Sequence, residues 1–237
     1  MVITSTVMLR ALVIAAFVSM PSVAQQTIFN VPSADVLERG KVYVELDAAF
    51  KPVSQSAQAK FSSFVPRFVI GIGKRVEVGL NLTGNIQPGR DTTTVVTAIK
   101  WRAYEDHSKS FALFAGSNLY FPIRSAAYRF GTNSYLAGSK TISKTRVTVG
   151  GFWASKHVLA PNAARGGAMV GIESTLSKRY TIAADWMSGS HANGYFTPGL
   201  IFKPKPRIAA YLGYSIGNDN AAKGNHYFLF EIGYSVN

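Results

Sequence analysis

The chain has 237 residues, enough for one sizeable domain or two small ones, and it contains no cysteine, which excludes disulfides and thiolate metal sites. The formal net charge is +13 although charged residues are only 16% of the chain. The bases are scattered in small groups instead of one block, so no nucleic acid is expected as partner, and lipid headgroups, phosphates or acidic sugars are the anionic partners left open. His107, His157, His191 and His226 show no metal-ligand spacing, and no cofactor is expected.

Residues 1–24 have the layout of a secretory signal peptide. Arg10 precedes the apolar stretch ALVIAAFVSM, a proline comes next, and SVA supplies small residues before Gln25. The apolar run is too short for a membrane-spanning helix, and Met8 offers a second start. Residues 25–40 then read as a periplasmic lead-in. Within TIFNVPSADVLERGK, Ser33 is placed to cap a short helical turn through Leu37, ended by Gly40. This segment either plugs or covers the periplasmic mouth of the domain beyond it or simply leads into that domain, and the lead-in is the simpler reading.

From residue 41 to 237 the dominant signal is alternation. In RVEVGLNLT, Val76, Val78, Leu80 and Leu82 share one face, with Glu77, Gly79, Asn81 and Thr83 opposite. Successive strand side chains point to opposite faces, so this strand has one apolar and one polar or small face. RYTIAADWM, RIAAYLGYSI and YFLFEIGYSVN repeat the pattern, each over about ten residues, the length a tilted strand needs to cross a bilayer core. The preceding FVIGIGKR invites comparison with a phosphate-binding loop. A helix must come after such a loop, however, and Val76 to Leu82 alternate as a strand, so Lys74 and Arg75 mark a turn.

Short basic turns (73–75, 104–110, 142–146, 176–180, 203–207) alternate with mostly longer connections (51–60, 84–92, 122–131, 156–165, 190–193, 217–225). These eleven connections separate twelve predicted strands: 41–50, 61–72, 75–83, 93–103, 110–121, 132–142, 146–155, 166–176, 180–189, 194–202, 207–216 and 226–236. Basic turn plus alternating strand recurs with a period of about 35 residues, a hairpin repeat.

A signal peptide ahead of an even number of alternating strands, with tight turns on one rim and longer loops on the other, resembles the bacterial outer-membrane β-barrels. The resemblance implies an all-β, closed, antiparallel up-and-down transmembrane barrel in the outer membrane of a Gram-negative bacterium. Lipids, lipopolysaccharide, the barrel insertion machinery and small solutes are the partners it implies. The physical argument is parallel: in lipid every backbone N–H and C=O must be paired, so a sheet spans only by closing, with its apolar face outward. Trp101, Trp153 and Trp186 fall on that outer face near strand ends, where an aromatic girdle sits. A soluble barrel would carry most of its charge on the outer face, which this alternation does not support. The last residue, Asn237, departs from the aromatic terminus usual in such barrels; the nearest aromatic is Tyr234.

Assigning the polar face to the lumen gives candidate pore-lining bases Arg67, Arg75, Lys100, Arg102, Lys140, Arg146, Arg179 and Arg207. The acids are Glu45, Asp47, Glu77, Glu173, Asp185 and Glu231. Their small basic excess points to a passive channel or transporter for small, anionic solutes. Complete pairing of these charges would point instead to a non-conducting structural or interaction barrel. SGSHANGY (188–195) resembles the His-x-Ser-Asn-Gly stretch of outer-membrane phospholipases. Ala192 and Asn193 stand where a nucleophile is needed, so no enzyme activity is expected and lipid hydrolysis is a minor alternative.

Overall fold

The computed structural model describes residues 26–83, 93–123, 129–158 and 163–236, so the expected signal peptide, the whole 84–92 connection and parts of the 122–131 and 156–165 connections lie outside the described residues. Twelve strands form: β1 (Val42–Lys51), β2 (Phe61–Gly71), β3 (Val76–Thr83), β4 (Thr94–Asp106), β5 (Phe111–Pro122), β6 (Gly131–Ile142), β7 (Thr145–Ala154), β8 (Gly166–Thr175), β9 (Tyr180–Met187), β10 (Tyr195–Lys205), β11 (Ile208–Gly217) and β12 (His226–Val236). Every strand pairs antiparallel with its sequence neighbours. The sheet closes between β1 and β12, running from Val42 opposite Val236 to Phe50 opposite Phe228. Closure leaves no edge, which is the condition for a sheet to stand in lipid.

Alternation sets the two faces. On β1, Tyr43, Glu45, Asp47, Ala49 and Lys51 are buried inside, whereas Val44, Leu46 and Phe50 are exposed outside. On β12, Tyr227, Leu229 and Glu231 point in, whereas Phe228, Phe230, Ile232, Tyr234 and Val236 point out. Large apolar side chains are exposed around the barrel, from Phe64 and Phe68 on β2 through Val149 on β7 to Leu212 on β11. In water this surface would be a severe liability; in a bilayer it is the required outer wall.

Aromatic residues ring both ends of this wall. Trp153 (48% exposed) and Trp186 lie toward the long-loop end, where Trp186 Nε1 donates to Asn218 Oδ1 at 2.8 Å. Trp101 (52% exposed), Tyr104, Tyr180 and Tyr234 lie toward the short-turn end. Their apolar bodies and polar tips suit the two headgroup levels.

The short turns are tight. Ser143, with a left-handed φ of 56°, turns the chain between Ile142 and Thr145, which pair directly. Bulges interrupt β4 between Trp101 and Tyr104, and β10 between Phe202 and Lys205, both near that rim. The glycines of the FVIGIGK stretch serve packing. A side chain on Gly71 would collide with the Glu38 carbonyl oxygen, so its absence lets the chain enter beside β2.

Candidate functional site in the filled lumen

No short helical turn forms at Ser33. Its hydroxyl oxygen accepts the Asp35 N–H at 3.4 Å, and the segment before it is a tight hairpin. Thr27 bridges Pro32, Ile28 N–H donates to Val31 O at 2.8 Å, and Ser33 N–H donates to Gln26 O at 3.1 Å. This hairpin is folded into the barrel. Ile28, Phe29 and Val31 are 1%, 3% and 0% exposed.

Asp185 on β9 holds the hairpin tip. Its Oδ2 accepts the consecutive backbone N–H groups of Phe29 (3.0 Å), Asn30 and Val31 (2.7 Å). Asn30 Nδ2 also donates to Thr197 Oγ1 at 3.0 Å, and Thr197 lies 3.0 Å from Ser215 Oγ. Successive N–H groups around a turn make an anion-binding concavity, filled here by a carboxylate of the wall.

The wall is shaped for the tip as well. A side chain on Gly171 would collide with Ile28 Cδ1, and one on Gly199 with Phe29 Cζ. Val31 packs with Phe114, Phe152, Met169 and Met187, large apolar residues that alternation turns inward. They are misplaced in a water-filled pore and well placed as a socket.

Further ion pairs bind the segment and fill the lumen. Lys100 Nζ lies 2.7 Å from Glu77 Oε1 with both side chains fully buried, and it also donates to Gln26 O at 3.3 Å. Glu77 Oε2 accepts the Leu37 N–H at 3.0 Å. Arg67 reaches Glu45 at 2.9 Å and Asp47 at 2.6 Å, and donates to Thr27 Oγ1 at 3.1 Å. Glu231 joins Glu45 and Asp47, the three carboxylates offering oxygens within 4.8 Å of one another. Arg146 grips Glu173 (2.7 and 2.8 Å) and, through its other edge, both oxygens of Asp35 at 2.8 Å each.

Crowding by the barrel disfavours the charged form of Asp35, but the two Arg146 hydrogen bonds and the Arg146 charge outweigh it and hold the pKa at about 2. Its side chain keeps 57% of its surface open to a recess while the barrel wall surrounds it.

Arg67 and Lys100 therefore face inward and buried, as do Glu45, Asp47, Glu77, Asp185 and Glu231, while Arg146 and Glu173 face inward and half-buried. Arg102 reaches Glu105 at 3.1 Å near the short-turn rim. Arg207, exposed at a turn, lines the recess that holds Asp35, Arg146 and Glu173. The other three bases stand elsewhere: Lys140 comes after the buried Ser139 on β6 and so points outward and is exposed, and Arg75 and Arg179 sit exposed at turns. Lys51 and Asp35 are the site components not singled out from sequence, while the lead-in segment, read there as a plug, a cover or a simple approach, places its hairpin inside the barrel. Lys51 is 3% exposed and donates to Gln55 Oε1 at 2.7 Å. The readable signal was the set of large inward apolar residues facing inward glycines.

Free space is divided accordingly. A recess of about 450 Å³ opens toward the longer loops, lined by residues including His191, Tyr195, Asn225 and Tyr227. Recesses of about 260 and 200 Å³ flank the Asp35–Arg146 pair at the other end. Beside the hairpin tip, between Asn118, Asn133, Phe152 and Met169, about 10 Å³ remains, room for roughly one water.

Among the described residues, no nucleophile is hydrogen-bonded to His191. Its Nδ1 accepts the Asn193 N–H at 3.1 Å, its ring packs edge-on against Phe152, and Nε2 has no hydrogen-bond partner among the described residues. Burial disfavours the charged ring and lowers its pKa below the usual histidine value.

No protein-family model and no curated protein sequence matches the chain. Solved structures do. An outer membrane channel from Pseudomonas putida F1 is similar over 86% of this chain and 98% of its own, at 13% identity and a TM-score of 0.56. The NanC porin is similar over 82% and 99% at 11% identity, TM-score 0.55. The KdgM porin, solved with oligogalacturonate, is similar over 83% and 99% at 11% identity, TM-score 0.51. The fold is that of the 12-stranded outer-membrane β-barrels, and the closed wall with its apolar exterior is what a bilayer requires of such a sheet.

Proposed function

We propose that the protein is an outer-membrane channel for small solutes whose lumen is closed by its own N-terminal hairpin, and that conduction requires the hairpin to leave. The observation that carries the reading is the Asp185 carboxylate surrounded by three consecutive N–H groups of residues 29–31. Recesses at both ends, separated by one short inserted element, are what a stoppered channel looks like. A barrel filled by its own wall side chains would not need the segment. The hairpin is also held by groups that water can replace, since carboxylates and N–H groups are both well hydrated when parted.

A permanently closed barrel that acts through its loops is the second reading, favoured by the ion pairs that fill the lumen. Single-channel recording in planar bilayers separates them. The stoppered channel predicts a mostly silent wild type and a conducting Asp185→Ala variant. Silence in both, with the variant barrel folded, supports the closed barrel. A lipid hydrolase would need a nucleophile held by His191, and lipid hydrolysis lost on His191→Ala is the result that would argue for it.

A further inference from the structure

The +13 charge of the chain suggests an anion pathway, but the structure distributes that charge unevenly. Exposed bases crowd the short-turn rim, among them Lys74, Arg75, Lys144, Lys178, Arg179 and Lys205. In the buried wall of the lumen the balance is reversed. There, among the described residues, five carboxylates (Glu45, Asp47, Glu77, Asp185, Glu231) face three cations (Lys51, Arg67, Lys100).

The inserted segment compensates for this excess. Among the described residues, Asp185 is neutralised by backbone N–H groups of Phe29, Asn30 and Val31 and by no cationic side chain. Glu77 has Lys100 but also takes the N–H groups of Gln26 and Leu37. The hairpin thus presents positive dipole ends where a bound cation would otherwise sit. When it leaves, these donors leave with it, and Glu45 and Asp47 still share the guanidinium of Arg67, with the Glu231 carboxylate beside theirs.

We infer that the opened channel is cation-selective, with Asp185 and the Glu45–Asp47–Glu231 cluster as its selecting groups. This rests on the reading that the hairpin is the stopper. A narrow, low-dielectric passage is governed by the charge lining it, whereas the rim bases stand in solvent and are screened over about 10 Å at 0.1 M salt.

The test uses the full chain with Gly171→Val, which fills the space of Ile28 Cδ1, and separately Ile28→Asp, which alters the hairpin and leaves the barrel wall intact. Reversal potentials are read in a KCl gradient across a planar bilayer. The expected result is K⁺ permeability at least about threefold above Cl⁻, falling toward unity when Glu231→Gln and Asp47→Asn are added. Conducting variants that prefer Cl⁻, or whose preference ignores the added substitutions, overturn the inference and leave the stopper standing. If both variants fold and stay silent, the stopper itself is overturned, and the selectivity inference with it.

Discussion

Replacing Asp185 by alanine removes the one carboxylate around which the hairpin tip is built. Three N–H groups lose their acceptor while Phe29 and Val31 remain buried. A hydrogen bond to a charged group contributes about 1.5–3 kcal/mol, and because these three share one oxygen their joint loss is taken as about 3–6 kcal/mol. At about 1.4 kcal/mol per factor of ten, the ratio of inserted to withdrawn hairpin falls by roughly 10² to 10⁴. A channel closed almost all the time would then open frequently. The assay is open probability in planar bilayers, with heat-modifiable gel mobility confirming a folded barrel. Asp185→Asn keeps a neutral acceptor and should open less often than Asp185→Ala. A folded Asp185→Ala barrel as silent as wild type would refute the assignment of Asp185 as the anchor.

The same geometry sets three other outcomes. Asp35, with its pKa held at about 2, contributes to retention of the segment above its ordinary value of 3.8, and that contribution is lost as pH falls through about 2. Open probability should therefore rise between about pH 4 and pH 2, with the Asp35 component of that rise absent in Asp35→Asn. Lys100→Met leaves Glu77 buried without its partner and should cost about 3–5 kcal/mol in urea unfolding from lipid, whereas Lys100→Met with Glu77→Gln should cost less. Cysteine placed at Val31, in a chain that has none, should resist a water-soluble thiol reagent in the otherwise native barrel and react many-fold faster when Asp185→Ala is added.

Strand number, strand position and the outward faces were legible because they arise from a local rule. A period of two in side-chain direction is written into each ten-residue stretch, and glycine, basic and polar runs mark where it stops. The inward positions of Glu45, Glu77, Lys100, Asp185 and Glu231 are consequences of that rule. It loses its hold at Arg75 and Arg179, which lie exposed in turns, and it places Lys140 outward, beyond the inward Ser139. Exposed bases at the turn tips, such as Lys74, Lys144 and Lys178, raise the net charge of the chain without charging the buried wall of the lumen.

What the sequence by itself determined is thus the barrel: a membrane-facing wall arises from short-range alternation that any stretch displays on its own. What only the tertiary structure decided is what occupies the barrel. Residues 26–33 carry no regular periodicity, and their hydrogen bonds go to wall residues such as Asp185, more than 150 positions away in the chain. Ile28, Phe29 and Val31 become meaningful only against Gly171, Gly199, Phe114 and Met169, which different strands bring around them. A lumen occupied by the chain's own segment, with five buried carboxylates and three buried cations among the described residues, is a property of that assembly, since partners distant in sequence meet only once the sheet has closed.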